Sequence, residues 1–182
     1  MTLMKDTMLD ADVVDEWDGP DVVSLRTAAI DEAYNVYRDL GLRATPEGQA
    51  GEALVAALSA RRGWRIEVRY VSMAELPTYS GFVRSAGPDH WVIDVRDDVS
   101  DGQADLIIAH EVGHIVHGDV PPGGRARARV IAITPPEVWA SAFAVTMGRL
   151  FTYGDPEGER AAALAHLTDT HRALIGDLPR RV

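Results

Sequence analysis

Three of the six histidines of this chain lie in one short segment, residues 110–117, which read HEVGHIVH. The first five residues match the pattern H-E-x-x-H, whose two histidines stand one turn apart on the same face of an α-helix. Both imidazoles can then reach one metal ion, with Glu111 beside them. Because two histidines leave such an ion short of protein ligands, the chain must supply a further ligand outside this five-residue motif. This requirement constrains the fold more than any other feature of the sequence.

The residues around the motif indicate a largely buried helix. Residues 106–109 read LIIA, and Val112, Ile115 and Val116 continue the apolar pattern at helical spacing. Ser100 with Gln103 three residues later fits a capping box, and Gly118 followed by two prolines is typical of a helix end. The sequence therefore predicts a helix from about residue 100 to residue 118.

Composition limits how a metal could be held. The chain has 182 residues, 46% of them hydrophobic, which is enough for one domain with its own core. It has no cysteine, so a metal must be bound by histidine and carboxylate, and we expect Zn²⁺. The absence of cysteine also fits a cytoplasmic location.

Much of the negative charge is concentrated at the N-terminus. The net charge is −10, and residues 1–21 contain seven acids and one lysine, which gives −6 for this segment. We expect a flexible acidic tail over residues 1–21 and a single domain over residues 22–182. The acidic balance disfavours nucleic-acid binding, and neither a signal peptide nor a membrane-spanning apolar stretch is evident.

Periodicity along the chain predicts an α+β fold. Apolar residues recur at helical spacing over residues 30–40 and 50–58, with the second helix opened by Thr45 and Pro46. Residues 64–70 alternate as in a half-buried strand, and residues 81–84 and 91–95 flank a turn as in a hairpin, so the sheet is small and antiparallel or mixed. A basic loop with Arg125, Arg127 and Arg129, a helix over residues 134–150 and a last helix from Asp155 follow.

Two residues compete for the role of third ligand, and the first is His117. It lies within about 60° of both other histidines around the helix, since each residue turns the chain by roughly 100°. A third ligand from the same straight helix would have difficulty completing a tetrahedron while leaving an opening for substrate. A metzincin site needs a histidine six residues after His114, where this chain has Val120. The alternative role for His117 is that of a histidine at the helix end, or of one that contacts a metal ligand without binding the metal.

Glu137 is the stronger candidate for the third ligand. It begins the next predicted helix, and Ala140, Ser141 and Ala144 give that helix a small face that allows close approach to the motif helix. Residues 134–137, TPPE, also fit a capping box, in which the Glu137 carboxylate would bond only to its own helix start. The sequence thus predicts His110, His114 and Glu137 as ligands, with the cap as the alternative role for Glu137.

The two halves of this pattern together resemble the ImmA/IrrE-type metallopeptidases, in which an apolar-A-H-E-x-G-H-I stretch precedes an E-x-x-A-x-x-F-A helix. Residues 109–115 read AHEVGHI and residues 137–144 read EVWASAFA, and the resemblance spans roughly residues 79–150. It implies a zincin-like fold of the gluzincin type, zinc on His110, His114 and Glu137, Glu111 as the base, and an edge strand that pairs with an extended substrate.

The same resemblance implies a regulatory substrate, a helix-turn-helix repressor of phage, mobile-element or stress genes. The chain departs from the family pattern at residues 145–148, which read VTMG where a Leu-x-Pro ending is common, and it shows no evident N-terminal helix-turn-helix. These departures leave the mode of substrate docking open.

The expected activity is peptide hydrolysis, in which zinc polarises a water and the scissile carbonyl while Glu111 accepts the water proton and passes it to the leaving amine. Polar candidates for stabilising the oxyanion are Tyr79, Tyr153, His117 and His171. One rival hypothesis is a non-catalytic, zinc-stabilised interaction module of a toxin–antitoxin or repressor system, which a four-ligand site completed by His117 would favour. A metal-dependent amidase or other hydrolase is a further alternative.

Overall fold

The structure, a computed structural model, describes residues 21–123, 134–154 and 157. The described residues form four helices and one three-stranded sheet, which confirms the α+β class. The elements in chain order are α1 (Val22–Asp39), α2 (Ala50–Arg62), β1 (Arg65–Val71), β2 (Gly81–Gly87), β3 (His90–Arg96), α3 (Asp101–His117) and α4 (Pro135–Tyr153). The expected acidic tail apart from Asp21, the basic loop from residue 124 and the last predicted helix lie outside the described residues.

Helices α1 and α2 carry the apolar stripes that the sequence predicts, but α2 begins later than expected. Its first residue is Ala50, whereas the sequence predicts that Thr45 and Pro46 open this helix. The Asp105 carboxylate of α3 accepts the backbone N–H groups of Gly48 at 2.6 Å and Gly51 at 2.8 Å. Since the first N–H groups of a helix lack partners within the helix, a carboxylate from a neighbouring helix fixes where α2 starts.

The sheet has β3 at its centre, parallel to β1 and antiparallel to β2. The predicted hairpin is therefore confirmed as β2 and β3, and the sheet is mixed. In β1, Ile66 is buried as expected, whereas Tyr70 is 51% exposed, so the predicted burial of alternate residues fails at the end of this strand. The next residue, Val71, is buried instead, with an exposure of 8%.

Helices α3 and α4 form the layer that carries the motif residues. Ser100 and Gln103 form both bonds of the predicted capping box, and Gly118 ends α3 with a left-handed φ of 86°. Helix α4 begins after Thr134 and runs past the expected end at residue 150 to Tyr153. Its predicted apolar stripe is buried against α1 and α3 at Trp139, Phe143, Met147 and Leu150. Among the described residues, no helix is both long and apolar enough to cross a membrane.

Candidate metal centre

Helix α3 carries all three motif residues, His110, Glu111 and His114. His110 and His114 lie one turn apart, and their Nε2 atoms are 3.2 Å from each other. Glu111 is 1% exposed and His114 is 5% exposed, because the apolar residues around them bury most of this helix. A charged or polar group buried to this degree needs hydrogen-bonding or charged partners, so neighbouring side chains or a bound ion must compensate for its burial.

Glu137 completes the group from the first turn of α4. Its Oε2 lies 3.2 Å from His110 Nε2, and its Oε1 lies 3.4 Å from His114 Nε2. Thr134, at the helix start, makes no side-chain cap bond, so the capping box considered for residues 134–137 does not form. The carboxylate of Glu137 is directed at the two histidines of α3.

The spacing of these three side chains fits a metal ion. His110, His114 and Glu137 each offer one ligand atom to a common point, and the group could hold a metal. For metal–ligand distances of about 2.0–2.2 Å and tetrahedral angles, two ligand atoms lie roughly 3.3–3.5 Å apart. The two Nε2 atoms are 3.2 Å apart, and each lies 3.2 or 3.4 Å from a different oxygen of Glu137, which is close to this range. Three protein ligands also leave one tetrahedral position for a water or a substrate oxygen.

The predicted close contact between α3 and α4 is present at Gly113. A Cβ atom built on Gly113 would lie 3.1 Å from the Cα and 3.3 Å from the Cβ of Ala140. The absence of a side chain at Gly113 and the small one at Ala140 therefore set the distance between the helices. That distance is what allows a short glutamate side chain on α4 to reach two histidines on α3.

A second layer of contacts holds His114 in place. Asp119 Oδ2 lies 3.0 Å from His114 Nδ1, and Asp119 Oδ1 lies 2.9 Å from His117 Nδ1. Burial alone raises the pKa of the Asp119 carboxyl, but the hydrogen bonds from His114 and His117 outweigh it and place that pKa below its usual value. Asp119 is therefore an ionised acceptor for two imidazoles.

His117 does not belong to the ligand group of the described residues. Its Nδ1 is bonded to Asp119, and its ring lies 4.6 Å from the ring of Trp139, centroid to centroid. It connects the end of α3 to the start of α4. For His110 the corresponding contact is weaker: Ser141 Oγ lies 3.5 Å from its Nδ1, at the limit for a hydrogen bond.

Glu111 lies on the side of α3 that faces the edge strand β2. A Cβ atom built on Gly81, the first residue of β2, would lie 2.2 Å from Ile107 Cγ2 and 3.2 Å from Glu111 Oε1. The strand thus begins directly against the motif helix. The Glu111 carboxylate therefore lies close to the start of an edge strand, a place where a bound chain could meet it.

Of the residues considered for oxyanion stabilisation, Tyr153 lies far from the metal ligands. Tyr153 is 64% exposed at the last residue of α4, about 24 Å along that helix from Glu137 at 1.5 Å per residue. Tyr79 is half-buried two residues before β2, and His171 lies outside the described residues.

Sequence reasoning missed Asp119, which it treated as part of a loop. One signal was available, since a glycine that ends a helix in the left-handed conformation turns the next residue back over the last turn.

Comparisons of this chain with protein-family models, with curated proteins and with solved structures give no match.

Proposed function

We propose that this chain is a zinc-dependent endopeptidase with a zincin-like catalytic arrangement. The observation that carries the proposal is the group of His110, His114 and Glu137, whose ligand atoms lie within 4.8 Å of one another, together with the buried carboxylate of Glu111 on the same helix as the two histidines. Two imidazoles and one carboxylate are a donor set typical of catalytic zinc in peptidases. The same set with no thiolate suits zinc better than the softer Cu(I).

Each protein residue has a defined task in this reaction. His110, His114 and Glu137 would hold the zinc ion, which supplies Lewis-acid polarisation of water and of the scissile carbonyl when bound. Glu111 accepts a proton from the attacking water and delivers it to the leaving amine nitrogen, so water is added across the amide bond. No covalent link between protein and substrate is required.

Substrate would lie along the edge strand β2. Arg96 N–H bonds to Ser80 C=O just before this strand, at 2.9 Å, and alternation along an antiparallel pair then directs the backbone groups of Val83 away from β3. An extended peptide adds to such an edge through main-chain hydrogen bonds. The resemblance to the ImmA/IrrE-type metallopeptidases suggests a helix-turn-helix repressor as the protein substrate and the cytoplasm as the location.

The decisive experiment combines metal control with one substitution. The purified chain is incubated with a mixture of unstructured peptides, and with repressor proteins encoded near its own gene, with zinc or with a chelator. We expect cleavage in the sample with zinc and none in the sample with the chelator. Glu111→Gln should retain zinc but lower the rate of cleavage by about 10²- to 10⁴-fold. Full activity of Glu111→Gln would remove Glu111 from its role, and cleavage that survives the chelator would contradict the proposal.

A matched pair of glutamates tests the third ligand. Glu137 and Glu52 both lie in the first turn of a helix, but only Glu137 faces the histidines. We expect Glu137→Ala to weaken zinc binding by at least tenfold in a chelator competition, because one of three protein ligands is lost. Glu52→Ala should bind zinc like the wild type. Unchanged affinity of Glu137→Ala would reject the ligand assignment.

The rival interaction module predicts a closed site completed by His117. In the described residues His117 is bonded to Asp119, its ring contacts that of Trp139 at a tilt of 32°, and it is not part of the ligand group. X-ray absorption of the zinc-loaded chain separates the two hypotheses. Two histidines, one carboxylate and one water-like oxygen support the enzyme, whereas three histidines support the module.

A further inference from the structure

Asp119 follows the glycine that ends α3, and each of its two carboxylate oxygens contacts a histidine. Gly118 turns the chain with a φ of 86°, and Asp119 N–H then bonds to His114 C=O at 3.0 Å. Gly118 N–H bonds to Ile115 C=O at 3.1 Å, which completes the Schellman pattern of a helix end. These backbone hydrogen bonds place the Asp119 side chain over the last turn of α3 and restrict the backbone conformation at this residue.

The two carboxylate oxygens serve different histidines. Oδ2 lies 3.0 Å from His114 Nδ1 and Oδ1 lies 2.9 Å from His117 Nδ1, and the Asp119 side chain is only 15% exposed. Carboxylate oxygens accept hydrogen bonds, so these two contacts call for a proton on the Nδ1 of each imidazole. For neutral His114 this leaves a lone pair on Nε2, the atom that lies 3.2 Å from His110 Nε2 and 3.4 Å from Glu137 Oε1.

His117 fixes the orientation of the same carboxylate. Its hydrogen bond occupies Oδ1, and its ring lies 4.6 Å from the ring of Trp139, which is buried two residues after Glu137. The end of α3 and the start of α4 are thereby joined through Asp119. A carboxylate held in this way cannot rotate from His114 without losing its bond to His117.

We propose that Asp119 is a positioning residue of the metal centre, which selects the Nδ1–H form of His114 and aims its Nε2 at the metal, and that His117 holds Asp119 in that orientation. Partners of this kind typically contribute 10- to 100-fold to metal affinity. The inference rests on the metal centre of the proposed function but not on peptidase activity.

The first test measures zinc affinity by competition with a chelator for Asp119→Ala and for the isosteric Asp119→Asn. We expect a loss of about 10- to 100-fold for both, because neither variant can accept from both histidines. Asp98→Ala and Asp98→Asn are the matched controls, since Asp98 pairs with Arg96 at an exposed site, and they should leave the affinity unchanged. Wild-type affinity in both Asp119 variants would overturn the proposal.

The second test observes the tautomer directly in the zinc-free chain. The ¹⁵N shifts of the His114 ring, recorded well above the usual histidine pKa, should report a proton on Nδ1 in the wild type and a mixture of tautomers in Asp119→Asn. A purely structural role of Asp119 would not change this signal. An unchanged Nδ1–H form in Asp119→Asn would contradict the assignment.

Variants of His117 test the second half of the proposal. His117→Asn keeps an N–H donor near the Nδ1 position and should retain zinc affinity close to wild type, whereas His117→Ala should lose affinity, but less than Asp119→Ala does. Equal affinity of the two His117 variants would remove His117 from this role. If the wild type itself binds no zinc, the proposed function fails, while the tautomer measurement still decides whether Asp119 positions His114.

Discussion

At the scale of single residues, the two histidine ligands differ in the contacts that Asp119 and Ser141 make with their Nδ1 atoms. His114 is nearly buried and bonds to a charged carboxylate at 3.0 Å, whereas His110 is more exposed and has Ser141 Oγ at 3.5 Å. Hydrogen bonds to charged groups contribute more than those between neutral groups. The bond from Asp119 to His114 is therefore the stronger of these two contacts.

This difference predicts a small effect at Ser141. A neutral hydrogen bond contributes about 0.5–1.5 kcal/mol, so Ser141→Ala should weaken zinc binding by roughly tenfold at most. Chelator competition with Asp119→Ala measured in parallel provides the comparison. A larger loss for Ser141→Ala than for Asp119→Ala would show that His110, and not His114, depends more on its partner.

At the scale of elements, the contact between α3 and α4 is the feature that assembles the ligands. Gly113 and Gly148 lie on this seam at different places, and a Cβ atom on either would meet a neighbouring atom at 3.1 Å. At Gly113 the neighbour is the backbone Cα of Ala140, while at Gly148 it is the tip of the Leu106 side chain. A backbone atom cannot move aside as a side-chain tip can.

The two glycines therefore form a matched pair of substitutions. Gly113→Ala should force the helices apart near the ligands, with an overpacking cost of about 1–3 kcal/mol and weaker zinc binding. Gly148→Ala should bind zinc like the wild type and gain up to about 1 kcal/mol of stability from helix propensity. Denaturant unfolding and zinc competition measure both quantities. Equal zinc affinity in the two variants would contradict the role of the Gly113 contact.

Local signals predicted those elements whose ends are set by nearby residues. The capping box at Ser100 and the glycine at residue 118 define α3, so His110, Glu111 and His114 could be placed correctly on one helix. The start of α2 could not be predicted, because it depends on Asp105 from a distant part of the chain. The direction of the Glu137 carboxylate is also decided by tertiary contact, since its local sequence equally fits a cap.

At the scale of the whole molecule, a metal ion would join parts of the chain that lie far apart in sequence. Helix α4 packs on α1, where the rings of Tyr37 and Phe151 meet at 5.8 Å, and Thr45 N–H bonds to Phe151 C=O at 2.9 Å. The metal ligands in turn connect α4 to α3. A metal ion that binds only the folded state would therefore stabilise α1, α3 and α4 together.

This coupling predicts a metal-dependent melting temperature. A ligand at a hundredfold excess over its Kd stabilises the folded state by about 2.7 kcal/mol. For a domain of this size the Tm should rise by roughly 5–11 °C with zinc and return to its former value with a chelator. Differential scanning calorimetry of the wild type and of Glu137→Ala checks this. A zinc-induced shift of full size in Glu137→Ala would contradict the coupling through α4.

The close contact at Gly81 has a consequence for how this sequence can vary. The position of a Cβ atom on residue 81 is already occupied by the Ile107 side chain, and the carboxylate of Glu111 is the next nearest group. Residues 81 and 107 should therefore change together during evolution. In a homologue that carries alanine or serine at the position of Gly81, we expect a residue smaller than isoleucine at the position of Ile107, so covariation of this pair would identify distant relatives that keep the same arrangement of strand and helix.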